Sequence, residues 1–97
     1  MAFDDYLNTP IELAATSPRL DMIRSRLKTQ DIRPYPFRSV EDGFDPLLVD
    51  TQSASPDMLQ AIQQAADNGL DRPLILLGDH ARLAEDAALI LKTDEEI

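Results

Sequence analysis

Pro46-Leu47-Leu48-Val49-Asp50, followed five residues later by Ser55-Pro56-Asp57-Met58-Leu59, is the stretch that decides the fold. A short apolar run bounded by turn residues has the form of a strand covered on both faces. Ser55 offers a helix N-cap hydroxyl, and Pro56 stands at the first helical position, where a missing N–H costs nothing. The unit is therefore a buried strand, a loop and a helix, with Asp50 at the C-terminal end of the strand. Open α/β sheets place their chemistry at that end.

The same order of strand, Ser-Pro, helix and strand occurs upstream. Ile11-Glu12-Leu13-Ala14-Ala15-Thr16 reads as a first strand, and Ser17-Pro18 as a cap followed by proline. Leu20, Ile23 and Leu27 recur at helical spacing and predict a helix over about 18–29. Residues 32–37 alternate but carry Pro34 and Pro36, so they suit an edge or irregular strand. Residues 39–46, with Asp42-Gly43 and Asp45-Pro46, form a loop. Residues 1–9 are expected to be a loose or weakly docked arm, with Phe3, Tyr6 and Leu7 free to pack on the body or on a partner.

Downstream of Asp50, a helix is predicted from Pro56 to about Asn68, with Leu59, Ile62 and Ala66 inward and Gly69 as a left-handed cap. Leu74-Ile75-Leu76-Leu77 makes a fourth strand that ends in Gly78-Asp79-His80. A short helical stretch around 82–86 leads to the last strand, Leu89-Ile90-Leu91. Thr93-Asp94-Glu95-Glu96 has the form of a capping box. Five strands joined by right-handed crossovers predict a flavodoxin-like α/β three-layer sandwich over residues 10–97, its parallel sheet ordered 2-1-3-4-5. The C-terminal helix of that fold is expected to be truncated, the chain being part of a longer protein.

Ninety-seven residues suffice for one core. Eighteen acidic residues against nine basic ones give a net charge of −9, which argues against nucleic acid and anionic membranes as partners. Arg24, Arg26, Lys28 and Arg33 read as a solvated face. The absence of cysteine excludes disulfides and thiolate chemistry. No apolar run approaches the roughly 20 residues that span a bilayer. The acidic N-terminus lacks the basic start of a signal peptide, so the expected compartment is the cytoplasm.

Asp50 is the leading site candidate. Its bland alternative is a helix-facing structural carboxylate that accepts hydrogen bonds from loop amides around Gln52 and Ser53. Asp79 and His80 could form an acid–base pair, but adjacent loop residues seldom point the same way. A single histidine also makes a poor transition-metal site. No metal or cofactor is expected. Ser17 and Ser55 read as caps, and Met58 and Phe37 as core. Tyr35, Phe44 and His80 are candidates for an interaction surface.

The topology and Asp50 resemble the receiver superfamily of two-component signalling over about residues 10–97. Leu48-Val49-Asp50-Thr51 and Leu76-Leu77-Gly78-Asp79 are similar to receiver-like domains that precede GGDEF domains in cyclic-di-GMP proteins. The resemblance implies that Asp50 matches the phosphoacceptor. It also implies an acidic pair for magnesium after the first strand, a hydroxyl after the fourth and a lysine after the fifth. Here those positions hold Ala15-Thr16-Ser17, Gly78 and, at a shortened spacing, Lys92.

Magnesium needs several oxygen ligands, and phosphoryl transfer depends on positioning and charge neutralisation. The expectation is therefore a degenerate, non-catalytic pseudo-receiver that binds a protein partner or self-associates to control an attached output domain. The alternatives are a phosphorylatable receiver using Asp50, and a fragment of a small α/β enzyme using Asp50, Asp79 and His80.

Overall fold

The computed structural model describes residues 3–38, 40 and 44–97. Its elements are β1 (Pro10–Ala14), α1 (Arg19–Lys28), β2 (Arg33–Pro36), β3 (Leu47–Asp50), α2 (Pro56–Asp67), β4 (Leu74–Leu77), α3 (Ala81–Ala84) and β5 (Leu89–Leu91). Two 3-10 turns, Phe3–Tyr6 and Asp94–Glu96, flank them. All strand pairs are parallel, and the order is β2-β1-β3-β4-β5.

Alternation along the strands divides the core in two. Ile11, Leu13, Leu48, Ile75, Leu77 and Leu91 pack with Ile23 and Leu27 of α1. Ala14, Leu47, Val49, Leu74 and Leu76 pack on the opposite face with Ile62, Ala65 and Ala66 of α2 and Leu83 of α3. Helices thus cover both faces, which is why residues 47–49 and 74–77 read as unbroken apolar runs. Each fully buried Leu or Ile contributes about 1.5–3 kcal/mol over its exposed state. The order and the two covered faces fit a flavodoxin-like arrangement. They leave a topological switch point between β1 and β3.

The expected ends of α2 are present. The Ser55 hydroxyl accepts the Met58 N–H at 3.2 Å, and Gly69 follows the Asn68 cap with φ +88°. The first helix differs from expectation. Pro18, not Ser17, holds the cap position, and no side chain caps the helix. The Leu20 N–H instead donates to the Thr16 carbonyl at 3.0 Å, so backbone satisfies the orphan donor. The Ser17–Pro18 peptide is cis. Thr93 likewise makes no side-chain cap, and Glu96 reaches back to the Lys92 N–H at 3.1 Å. In the N-terminal arm, Phe3 and Tyr6 are buried in the core while Leu7 is exposed. The Asp42-Gly43 turn lies outside the described residues.

Among the described residues between β2 and β3, Val40 is buried on the α2 face and Phe37 packs partly there, and polar contacts tie the flanking residues to the sheet. Glu12, buried at the centre of β1, pairs with buried Arg72 at 3.1 Å and accepts the Arg38 N–H at 2.8 Å. Arg72 Nε donates to the Asp45 carbonyl at 2.6 Å, and the Tyr35 hydroxyl donates to Asp45 Oδ2 at 2.7 Å. A buried ion pair costs desolvation, so its geometry must be supported by further hydrogen bonds, as it is here.

The two edges of the sheet are unlike. The Arg33 N–H donates inward to the Thr9 carbonyl at 3.2 Å. Alternation then turns the next positions outward, and both of them, Pro34 and Pro36, lack an N–H. At the other edge, β5 contains no proline.

Candidate functional site

Asp50 closes β3 with its side chain fully withdrawn from solvent. The first turn of α1 aims Arg19 at it, with Nε 2.6 Å from Asp50 Oδ2. The Ser53 hydroxyl, on the loop leaving β3, donates to the same oxygen at 2.5 Å. The Gln52 N–H approaches Oδ1 at 3.4 Å. Of the loop amides expected at this aspartate, that of Gln52 approaches it, while Ser53 contributes its hydroxyl instead, and the charge is met by a guanidinium.

Arg19 extends the contact. Its Nη2 lies 2.6 Å from Asp94 Oδ1 and its Nη1 3.2 Å from Asp94 Oδ2, a two-point pairing. One cation therefore joins the end of β3, the start of α1 and the turn after β5. Hydrogen bonds to Asp94 and Asp50 hold the guanidinium more firmly protonated than usual, against a smaller opposing effect of burial. The same pairing holds the Asp94 carboxyl below the ordinary carboxylate range.

The mouth of the switch point is stitched across. The Thr16 hydroxyl donates to the Ser53 carbonyl at 2.6 Å, and the Thr16 N–H donates to the Ser53 hydroxyl at 3.0 Å. Thr16 thus spans from the end of β1 to the loop after β3. Those contacts fill the crevice in which open α/β sheets usually receive a ligand. The hollows beside the C-terminal half of α2 and beside Lys28 and Arg33 are not lined by Asp50.

Gly78, after β4, has φ +103°, and a Cβ built there would lie 2.2 Å from Thr51 Oγ1. The Thr51 hydroxyl donates to the Leu77 carbonyl at 2.9 Å, which fixes it against the glycine. The glycine thus answers a steric demand where the receiver resemblance implies a hydroxyl. The Lys92 side chain is exposed, and its backbone N–H is the one bound to Glu96. Asp79 is exposed, whereas His80 Nδ1 accepts the Leu83 N–H at 3.2 Å and caps α3. The acid–base pair weighed for Asp79 and His80 is thus not assembled with Asp50. Among the described residues, no group of three or more His, Asp or Glu is placed to hold a metal ion.

Of the candidate surface residues, Phe44 is 87% exposed. Tyr35 is half-buried, tied to Asp45, and has Arg38 stacked 5.4 Å from its ring centre. Burial, and then Asp45, raise the Tyr35 hydroxyl pKa. The residue that sequence reasoning missed is Arg19. A cation in the first turn of a helix opposes the macrodipole, and that misfit was the available signal. No family model, curated protein or solved structure matches the chain.

Proposed function

We propose that this chain is a non-catalytic pseudo-receiver, a signalling module that acts through contact with a protein and controls an attached output domain. The observation that carries the reading is the state of Asp50, buried beneath the guanidinium of Arg19 and hydrogen-bonded by Ser53. A phosphoacceptor needs an open approach for a phosphodonor and a metal to neutralise the incoming charge. Here a tethered cation takes the neutralising role, and the Thr16–Ser53 contacts occupy the approach. The β2-β1-β3-β4-β5 order supports the receiver-like part of the reading.

The test is incubation of the protein with magnesium and either acetyl phosphate or beryllium fluoride. Intact mass and amide chemical shifts are the readouts. The expected result is an unchanged mass and no shift changes centred on residues 50–53. A phosphate adduct that disappears in Asp50→Asn would overturn the reading in favour of a phosphorylatable receiver.

A further inference from the structure

We infer that the β5 edge is the contact surface of this module, and that its partner is an extended protein segment carrying lysine or arginine. The inference rests on the reading of the chain as an interaction module but not on the chemistry of Asp50. A sheet edge offers a row of backbone donors and acceptors to an incoming strand. At the β2 edge, Pro34 and Pro36 remove the outward donors. The β5 edge contains no proline and retains the outward N–H of Ile90, the next outward N–H, that of Lys92, being held by Glu96 at 3.1 Å.

The β5 edge is also longer than its three ladder residues. The Ala88 N–H already donates to the Leu74 carbonyl at 2.8 Å, and Thr93 is extended. Leu91 turns its carbonyl to the Gly78 N–H at 2.8 Å, so alternation along β5 turns the N–H of Ile90 outward. One face of this edge is uncovered: Ala88 and Ile90 are exposed, and α3 is only four residues long. An added strand would find a small apolar strip beside its backbone contacts.

Charge selects the occupant. Glu85 and Asp86 precede the strand and Glu95 and Glu96 follow it, all four exposed, with Lys92 the single cation between them. A second copy fits poorly. Antiparallel self-pairing centred on Ile90 would set Asp86 across from Asp94 and Glu85 across from Glu95. Centring on Leu91 would set Asp86 across from Glu96. Like charges placed opposite one another destabilise strand pairing, and a net charge of −9 adds long-range repulsion. A cationic strand meets attraction at the same positions.

The experiment is an amide chemical-shift titration with a blocked peptide, Lys-Lys-Val-Thr-Val-Lys-Lys, and with its counterpart carrying Glu for every Lys. The cationic peptide is expected to shift amides over 85–96, more weakly in high salt, and the acidic one to leave them unmoved. Glu85→Lys combined with Asp86→Lys should weaken binding about fivefold while leaving the spectrum folded. Ile90→Pro, which removes the outward donor of β5, should abolish it. Equal binding of both peptides, shifts centred outside 85–96, or concentration-dependent changes at β5 in the free protein would each overturn the inference. None of these outcomes depends on whether Asp50 accepts phosphate, so the two proposals fail separately.

Discussion

Arg19 and Asp94 meet at two points, 2.6 Å and 3.2 Å, and so bind the first turn of α1 to the turn that follows β5. Neither element is adjacent in sequence to the other. The link makes the last turn part of the folded body, and it carries a pH dependence.

The Asp94 carboxyl lies below its ordinary value of 3.8, chiefly through its hydrogen bonds with Arg19. As the pH falls, the unfolded chain takes up this proton before the folded one does. The stabilisation is therefore complete above pH 3.8 and is lost as the pH drops through the lower folded value. Urea midpoints measured from neutral pH down into this acid range should fall for the native sequence. Asp94→Asn should show a shallower fall over that window.

Arg19→Met should be more harmful than an average surface change. It leaves the Asp50 carboxylate, with no solvent exposure, without its cation. Breaking one side of a buried pair costs about 3–5 kcal/mol, and the partial exposure of Arg19 places the expectation near the lower end. Asp50→Asn in the Arg19→Met background should recover part of the loss. Denaturant unfolding of the two single variants and the double variant gives the coupling directly. A coupling near zero would mean that the contact carries no energy.

The Glu12–Arg72 pair tests the same physics at the centre of β1. Glu12→Gln sets a neutral amide opposite a buried guanidinium and should cost about 3 kcal/mol. Replacing both, Glu12→Leu with Arg72→Met, should cost less than the single change. Thermal unfolding of the three proteins would check the order.

Gly78→Ala should destabilise by about 2 kcal/mol or more, from a left-handed backbone and a steric clash together. The clash is with Thr51 Oγ1, so Thr51→Ala should relieve part of the loss. The conformational part should remain. Comparing Gly78→Ala in the two backgrounds by urea unfolding separates the contributions.

Much of this architecture was legible in the sequence, for identifiable reasons. The continuous runs 47–49 and 74–77 announced strands with two covered faces, and Pro34 and Pro36 announced an edge. Ser55 and Gly69 act locally, so their capping roles could be read from a few residues. What escaped was nonlocal. The partner of Asp50 comes from Arg19, and the anchor of the β2–β3 connection joins Glu12 to Arg72 across β3. Such pairings depend on strand order and side-chain direction rather than on spacing along the chain. Ser17 misled for a related reason: the Thr16 carbonyl took the helix donor that a hydroxyl was expected to take.

The two outward-facing prolines of β2 give the sheet a valence of one. If a strand adds at β5 as inferred above, the chain has no second edge with outward donors to offer. Assemblies built through the sheet therefore terminate at a single step, and growth into a filament by repeated edge pairing is closed off by Pro34 and Pro36.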